Sequence, residues 1–258
     1  MDLSRELITA TDAAIQAGKI IAKFYGKQLD VEHKSDNQPV TEADLQANAA
    51  IKELISDKFP EDGWLSEEDI DNVERLDKSR VWIVDPLDGT KDFIHQIPEF
   101  AVSIALTIDE NPSLGVVYNP ITNELFHAIR GKGAFLESTR LQVKPKQESK
   151  THLIASRSEF KRGEWNKYKD KFEISTTGGC AYKMCKVARG DADGTFTLNP
   201  KSEWDICAGH LIIEEAGGIV KSLNGYDIEY NQKSTLLEGL IYCNDEDVLN
   251  EILEVLKN

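Results

Sequence analysis

The chain is poor in the residue types that mark disulfide, zinc and membrane proteins. Its 258 residues include four cysteines, Cys180, Cys185, Cys207 and Cys243, with no CxxC spacing. That excludes a disulfide framework and predicts reduced, mostly buried thiols. The five histidines do not cluster near the cysteines, which makes a zinc site the weaker reading. Apolar runs are short, as at 81–84 and 104–106, against the ~20 residues that a bilayer span needs. The N-terminal segment MDLSRELITATDAAIQAG carries acids and alternates polar with apolar residues, so it reads as neither signal nor anchor, and a cytoplasmic protein is expected. Positive charge is also scarce. Lys and Arg number 30 against 45 Asp and Glu, a formal charge of −15. This argues against a nucleic-acid binder, whose affinity rests on counterions released by basic residues. GxSxG and P-loop GK[ST] patterns are missing, so neither a serine nucleophile elbow nor a phosphate-cradling P-loop is available.

What is present is clear periodicity and a surplus of placed carboxylates. Leu7, Ala10, Ala14, Ala17, Ile21 and Phe24 recur at helical spacing, with Gly26 as a stop. A second helix is predicted from Thr41, where TEAD makes a capping-box pattern ahead of Ile51, Leu54 and Ile55. A third carries Val248, Leu249, Ile252, Leu253 and Leu256. Between them, β-branched stretches at 81–84, 101–108, 114–118 and 124–129 predict strands, with NPS and NPIT as hairpin turns. Further on, ASRSEF turns from strand to helix, CAYKMCKVARG stops at Gly190, and WDICAGHLIIEEAGG ends at Gly217 and Gly218. The polar stretch LQVKPKQESK around Pro145 divides the chain into parts 1–145 and 146–258. The expected fold class is α+β.

Carboxylates stand in short segments where packing does not need them: Asp44 in VTEAD, Glu67 and Glu68 in SEED, Asp85 and Asp88 in VDPLDGT, and Asp205 in WD. In DPLDGT an apolar strand delivers Asp85, Pro86 turns the chain out of the sheet, and Gly89 permits a tight turn toward Thr90. Two acids, the Leu87 carbonyl and a hydroxyl then converge, a set of hard oxygen donors suited to Mg²⁺, Mn²⁺ or Ca²⁺. Capping is the simpler account of several of these acids, since Thr41 with Asp44, Ser66 with Asp69, and Ser202 with Asp205 all fit capping boxes. SEED also fits a solvated loop. Two acids in one turn repel unless a cation sits between them. The same scale of reading makes Trp204 a core anchor and His210 a structural residue.

VTEAD, LSEED, WIVDPLDGTKDF and WDICAG followed by EEAGG, in that order, resemble the lithium-sensitive, magnesium-dependent phosphatases that include inositol monophosphatases and 3′(2′),5′-bisphosphate nucleotidases. The resemblance covers nearly the whole chain. It implies a layered α-β-α-β-α sugar-phosphatase-type sandwich, a homodimer, and a metal site between a first part carrying most ligands and a second part carrying Asp205. It further implies two to three Mg²⁺ ions, with Mn²⁺ as an alternative. Glu68, Asp85 and the Leu87 carbonyl would hold one ion, and Asp85, Asp88 and Asp205 a second. A third would use Glu68 and, through water, Asp44. Thr90, paired with Asp44, would help activate water, with Glu67 behind the ligands. Asp88, Gly89, Thr90, Lys183 and Asp205 would contact the substrate, the Gly89 and Thr90 N–H groups at a helix start holding phosphate oxygens.

The choice of ester turns on a few positions. Lys91 in DGTKDF and Lys183 in YKMC resemble the nucleotidase branch, and Leu198 stands where inositol enzymes generally carry a glutamate toward ring hydroxyls. A missing partner for a substrate hydroxyl is costly. Cys180 and Ala181 in place of serines, and Glu159 in place of histidine, depart from the nucleotidase pattern, and Lys201 is the candidate for its remaining basic residue. The expected activity is hydrolysis of 3′-phosphoadenosine 5′-phosphate to AMP and phosphate. The alternatives are inositol-1-monophosphatase, a broad sugar-phosphate phosphatase, or a non-catalytic phosphoester binder. The expected partner is a small phosphate ester, with neither nucleic acid nor membrane.

Overall fold

Each helical periodicity becomes a helix, and the β-branched stretches become strands of one sheet. The computed structural model describes residues 2–27, 31–33, 39–146 and 150–257. In chain order the first part comprises α1 (Ser4–Phe24), β1 (Val31–His33), β2 (Pro39–Thr41), α2 (Glu42–Lys58), β3 (Gly63–Ser66), β4 (Arg80–Asp88) and α3 (Thr90–Ile94). A meander follows: β5 (Ala101–Ile108), β6 (Asn111–Asn119), β7 (Glu124–Ile129), β8 (Gly133–Leu136) and β9 (Thr139–Arg140). Next come β10 (His152–Ser156), α4 (Arg157–Lys161), β11 (Glu173–Thr177), α5 (Cys180–Arg189), β12 (Gly194–Thr197), β13 (Lys201–Ser202) and α6 (Glu203–Glu215). The last elements are β14 (Ile219–Ser222), β15 (Leu236–Leu237), β16 (Leu240–Cys243) and α7 (Glu246–Leu256).

The larger sheet has the order β3-β4-β5-β6-β7-β8-β9, and the smaller one β11-β10-β12-β16-β14. Strand alternation sorts their side chains between helix layers. Trp82, Val84, Ile104 and Leu106 pack with Ala10, Ala17, Ile51 and Ile55 of α1 and α2. Leu65, Val81 and Ile83 face the opposite way, onto Met184, Cys185, Leu211 and Ile212 of α5 and α6. Leu240 and Tyr242 of the second sheet close over that helix layer, while Ile241 and Cys243 point outward to Val248 and Ile252 of α7. The result is the α-β-α-β-α sandwich, a mixed α+β fold, in which α5 and α6 touch both sheets. The polar stretch around Pro145 lies between β9 and β10, with residues 147–149 outside the described residues.

Three local expectations change. NPS is not a turn: Asp109 and Glu110 turn the chain with φ of 48° and 65°, and Asn111 already pairs with Ile108. A two-residue hairpin with both central residues left-handed matches the twist of its flanking strands, so the tighter turn wins. Pro86 does not lead the chain out of the sheet. Asp85 pairs with Ser103 and Asp88 with Ala101, so Pro86 and Leu87 form a bulge between two paired residues. No helix follows Ser66, and Asp69 instead accepts hydrogen bonds from Trp64 Nε1 at 2.6 Å and Lys52 Nζ at 3.0 Å. The caps at Thr41 and Ser202 form as read. All four cysteines are free. Among the described residues no helix is long and apolar enough to cross a membrane.

Candidate active site

The two faces of the larger sheet explain which acids meet. Asp85 follows Val81 and Ile83 on the face toward α6, and Glu67 follows Leu65 on that same face, held beside β4 by its N–H to Val84 O at 3.2 Å. Asp205 comes from the first turn of α6, where its Oδ2 accepts Ser202 N–H at 2.9 Å. The helix can approach this closely because β6 offers Gly115, where a Cβ would stand 2.7 Å from Ala208 O. One carboxylate oxygen from each of Glu67, Asp85 and Asp205 lies within 4.8 Å of the others.

The member of this triad from SEED is Glu67, where the resemblance puts Glu68. Sheet alternation is the reason: residues two apart share a face, and Glu68 is out of phase with Leu65 and Asp85. Both glutamates lie past Ser66, the last residue of β3, but the Glu67 N–H to Val84 O bond carries the pairing one residue further, whereas the Glu68 N–H lies 3.5 Å from Ser66 Oγ. The phase is present in the sequence, but GWLS is a four-residue strand flanked by turn residues, too short for its alternation to stand out.

Asp88 stands beside the triad without being one of its three members. Its Oδ1 accepts Cys180 N–H at 2.8 Å and its Oδ2 accepts Ala181 N–H at 2.7 Å, so both oxygens cap the start of α5. Gly89 adopts φ of 96°, and its missing side chain lets the turn sit against Gly179, whose Cα would be 3.2 Å from a Cβ there. Asp44 is 1% exposed; its Oδ2 accepts Thr41 N–H at 2.8 Å and Thr41 O–H at 2.6 Å. Thr90 Oγ1 lies 3.0 Å from Asp44 Oδ1 and 3.1 Å from Leu87 O, and its single proton serves one of them. Asp44 and Thr90 therefore meet as expected, joining α2 to α3.

Crowding of buried acids sets the electrostatics. Burial, reinforced by the charges of Glu67, Asp88 and Asp205, holds Asp85 well above the carboxylate range. Burial also pushes Asp205 up to about 7, helped by Asp88 and Glu67 and opposed by Lys201. Asp88 rises to about 6 through burial despite its backbone hydrogen bonds. Asp44 is likewise raised by burial against its threonine partners.

Glu67, Asp85, Asp88 and Asp205 line one cleft of about 370 Å³, and Asp44 is not among its lining residues. Its walls include Gly89, Thr90, Lys91, Lys183, Lys201, Glu159 and Arg162, with Leu236 at the rim. Lys183 is 2% exposed, and burial lowers its pKa. Lys201 goes the other way: burial pulls it down, but Cys180, Asp205, Glu159 and Asp88 raise it further. Glu159 accepts from Thr197 Oγ1 at 2.9 Å and Trp165 Nε1 at 3.2 Å. Burial works against its charge, yet Lys183, the Trp165 hydrogen bond and Lys201 keep its pKa low. Leu198 is 45% exposed and does not line the cleft, which Asn199 and Pro200 do instead. Trp204 packs against the central core, and His210 is buried on Tyr230 Oη at 2.8 Å, both structural as read.

A family model described as the inositol monophosphatase family matches residues 2–257. The chain belongs to that family. A curated relative, the Nus factor SuhB of Pasteurella multocida, is 38% identical over 259 residues, covering 96% of this chain and 94% of that protein. An inositol monophosphatase of Mesembryanthemum crystallinum is 37% identical over 246 residues, covering 88% of each. Among solved structures, CysQ from Bacteroides thetaiotaomicron, a bacterial member of the family, is 31% identical with a TM-score of 0.78, covering 94% of this chain and 98% of that one. The family members are phosphatases and generally metal-dependent, and a small phosphate ester is the consistent substrate class. An oxygen-only triad fits that chemistry. Asp85 and Asp205, both raised by burial and by neighbouring carboxylates, stand with Glu67 in a charge excess that a hard divalent cation would neutralise.

Proposed function

We propose that this family phosphatase is a Mg²⁺-dependent phosphomonoesterase acting on a phosphate ester with a second anionic group, hydrolysing 3′-phosphoadenosine 5′-phosphate to AMP and phosphate. Glu67, Asp85 and Asp205 would hold the cation, with the Leu87 carbonyl and Asp88 at its margin, and Mn²⁺ would substitute. When bound, the ion supplies charge neutralisation and a lowered pKa for attacking water. The protein does the positioning. Thr90 Oγ1–H would donate its hydrogen bond to Asp44 Oδ1, which leaves the Thr90 oxygen lone pairs to accept a hydrogen bond from the attacking water and orient it. Gly89 and Thr90 line the phosphate end of the cleft, and Lys183 faces the remainder of the ester. Replacing Thr90 with Val keeps the volume but removes the acceptor. We expect kcat to fall by about 10²-fold in steady-state assays at saturating Mg²⁺. Thr90→Ser should stay within severalfold of the parent, and equal losses in the two variants would remove Thr90 from the proton path.

One observation supports the doubly anionic substrate: Lys183 and Lys201 share the cleft with the acidic triad, while position 198 contributes no carboxylate to it. The relatives named inositol monophosphatase support a second reading, inositol 1-phosphate or a broader range of sugar phosphates. Phosphate release measured side by side separates them. The first reading expects kcat/KM for 3′-phosphoadenosine 5′-phosphate to exceed that for inositol 1-phosphate by at least about tenfold, the effect of one well-placed ionic contact. A preference for inositol phosphate hands the site to the second reading. Lithium inhibition, a cytoplasmic location and a homodimer belong to the same proposal and rest on the family resemblance.

A further inference from the structure

Two buried charges outside the cleft are unused by the reaction. Arg75, from the 3₁₀ turn Val73–Asp77, is 2% exposed, and Glu203, the first residue of α6, is 1% exposed. They do not pair with each other. Both grip the same short piece of chain at residues 231 and 232. Arg75 Nη1 donates to Asn231 Oδ1 at 2.7 Å and Nη2 donates to Gln232 O at 3.0 Å, while Asn231 Nδ2 donates back to Arg75 O at 3.1 Å. From the other side, Glu203 Oε2 accepts Asn231 N–H at 2.6 Å and Oε1 accepts Gln232 N–H at 2.8 Å. Asn231 holds φ of 58°, the left-handed conformation that turns both N–H groups toward one carboxylate. Asp71 completes the guanidinium, with Arg75 Nε to Oδ1 at 2.7 Å and Nη2 to Oδ2 at 2.9 Å.

The ends of this strap are the two elements that bring the triad together. Arg75 and Asp71 belong to the connection between β3 and β4, which begins with Glu67. Glu203 stands two residues before Asp205 on the first turn of α6. The strap is thus a direct hydrogen-bonded link between the Glu67 connection and the Asp205 helix, behind the cleft and independent of any cation. A packed core would hold these elements together at lower cost than two buried charges, so their chemistry points to a demand for fixed spacing.

We propose that Arg75 and Glu203, through Asn231 and Gln232, are positioning residues that set the separation of Glu67 and Asp205 and so tune the affinity of the triad for its divalent cation. The inference rests on the metal-site reading above. Outer partners of metal ligands typically change affinity by about 10–100-fold when altered.

The test is Mg²⁺ titration of the full chain after chelator treatment, by calorimetry, together with the Mg²⁺ concentration for half-maximal phosphate release. Glu203→Gln has one acceptor for two N–H groups, and Arg75→Lys loses the fork. Each is expected to weaken Mg²⁺ binding at least about tenfold, while kcat at saturating Mg²⁺ stays within about twofold. The double variant should be no weaker than the worse single one, because both cut the same strap. Asn231→Gly, which suits φ of 58° and keeps both N–H groups, provides a third variant that removes the two side-chain contacts to Arg75 and leaves the Gln232 carbonyl contact; it is expected to weaken Mg²⁺ binding less than Arg75→Lys. Ile252→Val, on α7 in the outer layer against Ile241 and Cys243, is the stability control. Unchanged Mg²⁺ affinity in the strap variants, with thermal losses like those of Ile252→Val, would overturn the proposal. Failure of the unsubstituted protein to bind Mg²⁺ would instead overturn the metal-site reading on which it rests.

Discussion

Asp85→Asn is expected to remove phosphatase activity by about 10³-fold or more in kcat/KM, the equivalent of roughly 4 kcal/mol of lost charge stabilisation at a metal centre. The metal-free protein should not become less stable. Asp85 is 2% exposed among Glu67, Asp88 and Asp205, and its one backbone contact, Leu87 N–H to Oδ1 at 2.9 Å, is retained by an amide oxygen. An amide also removes a charge that its neighbours disfavour. The two measurements pull apart the competing accounts. A purely structural aspartate predicts a fall in the thermal midpoint with chelator present, whereas a cation ligand predicts lost activity and Mg²⁺ binding with the midpoint held or raised. Activity within tenfold of the parent would exclude Asp85 as a ligand.

Removing the cation should make stability fall as pH rises, opposite to what an ordinary acidic protein shows on leaving acid. Without a divalent ion, Asp88 titrates near 6, while Asp205 and Glu203 titrate near 7, each above its ordinary value because of burial. The unfolded chain releases those protons near 3.8 for Asp and 4.5 for Glu. Across the interval the folded form holds more protons than the unfolded one, so unfolding becomes easier as pH rises through it. Ion-paired acids such as Glu99 and Glu214 are held below 4.5, and their stabilisation is lost only at lower pH, outside this window. On the proposed reading Mg²⁺ would reverse the trend, because a divalent cation is held by the deprotonated carboxylates. A hundredfold excess over Kd adds about 2.7 kcal/mol. That corresponds to a midpoint rise of about 5–10 °C for a chain of this size. Thermal scans at pH 5.5 and 7.5, with chelator or with Mg²⁺, give the check. The expected result is a lower midpoint at pH 7.5 in chelator and a larger Mg²⁺ effect there, and a Mg²⁺ effect that grows toward acid would contradict the site.

Local chemistry carried the sequence reading a long way. The period of Leu7, Ala10, Ala14, Ala17 and Ile21 is a property of one segment, and α1 buries four of those five residues, leaving Leu7 half-buried. The caps at Thr41 and Ser202 are also local, and both are present. Capping does not keep these two groups from other contacts: Asp44, which closes one box, meets Thr90, and Asp205, which closes the other, belongs to the acidic triad. Turns were less legible. Asn111 and Pro112 carry the compositional signal of a turn, but Asp109 and Glu110 make it, since strand twist selects turn geometry.

The acids show where the sequence stops. By itself it determined the helical faces, the strand stretches, the helix caps and a carboxylate surplus concentrated in a few motifs, because each depends on neighbours within a turn or a strand. Which of those carboxylates converge depended on strand phase, on the close approach of α6 to Gly115, and on the capture of Asp88 by the start of α5. Those are relations between segments tens to more than a hundred residues apart. Only the tertiary structure decided that Glu67 rather than Glu68 faces Asp85, because a one-residue change of phase sends a side chain to the opposite face of a sheet.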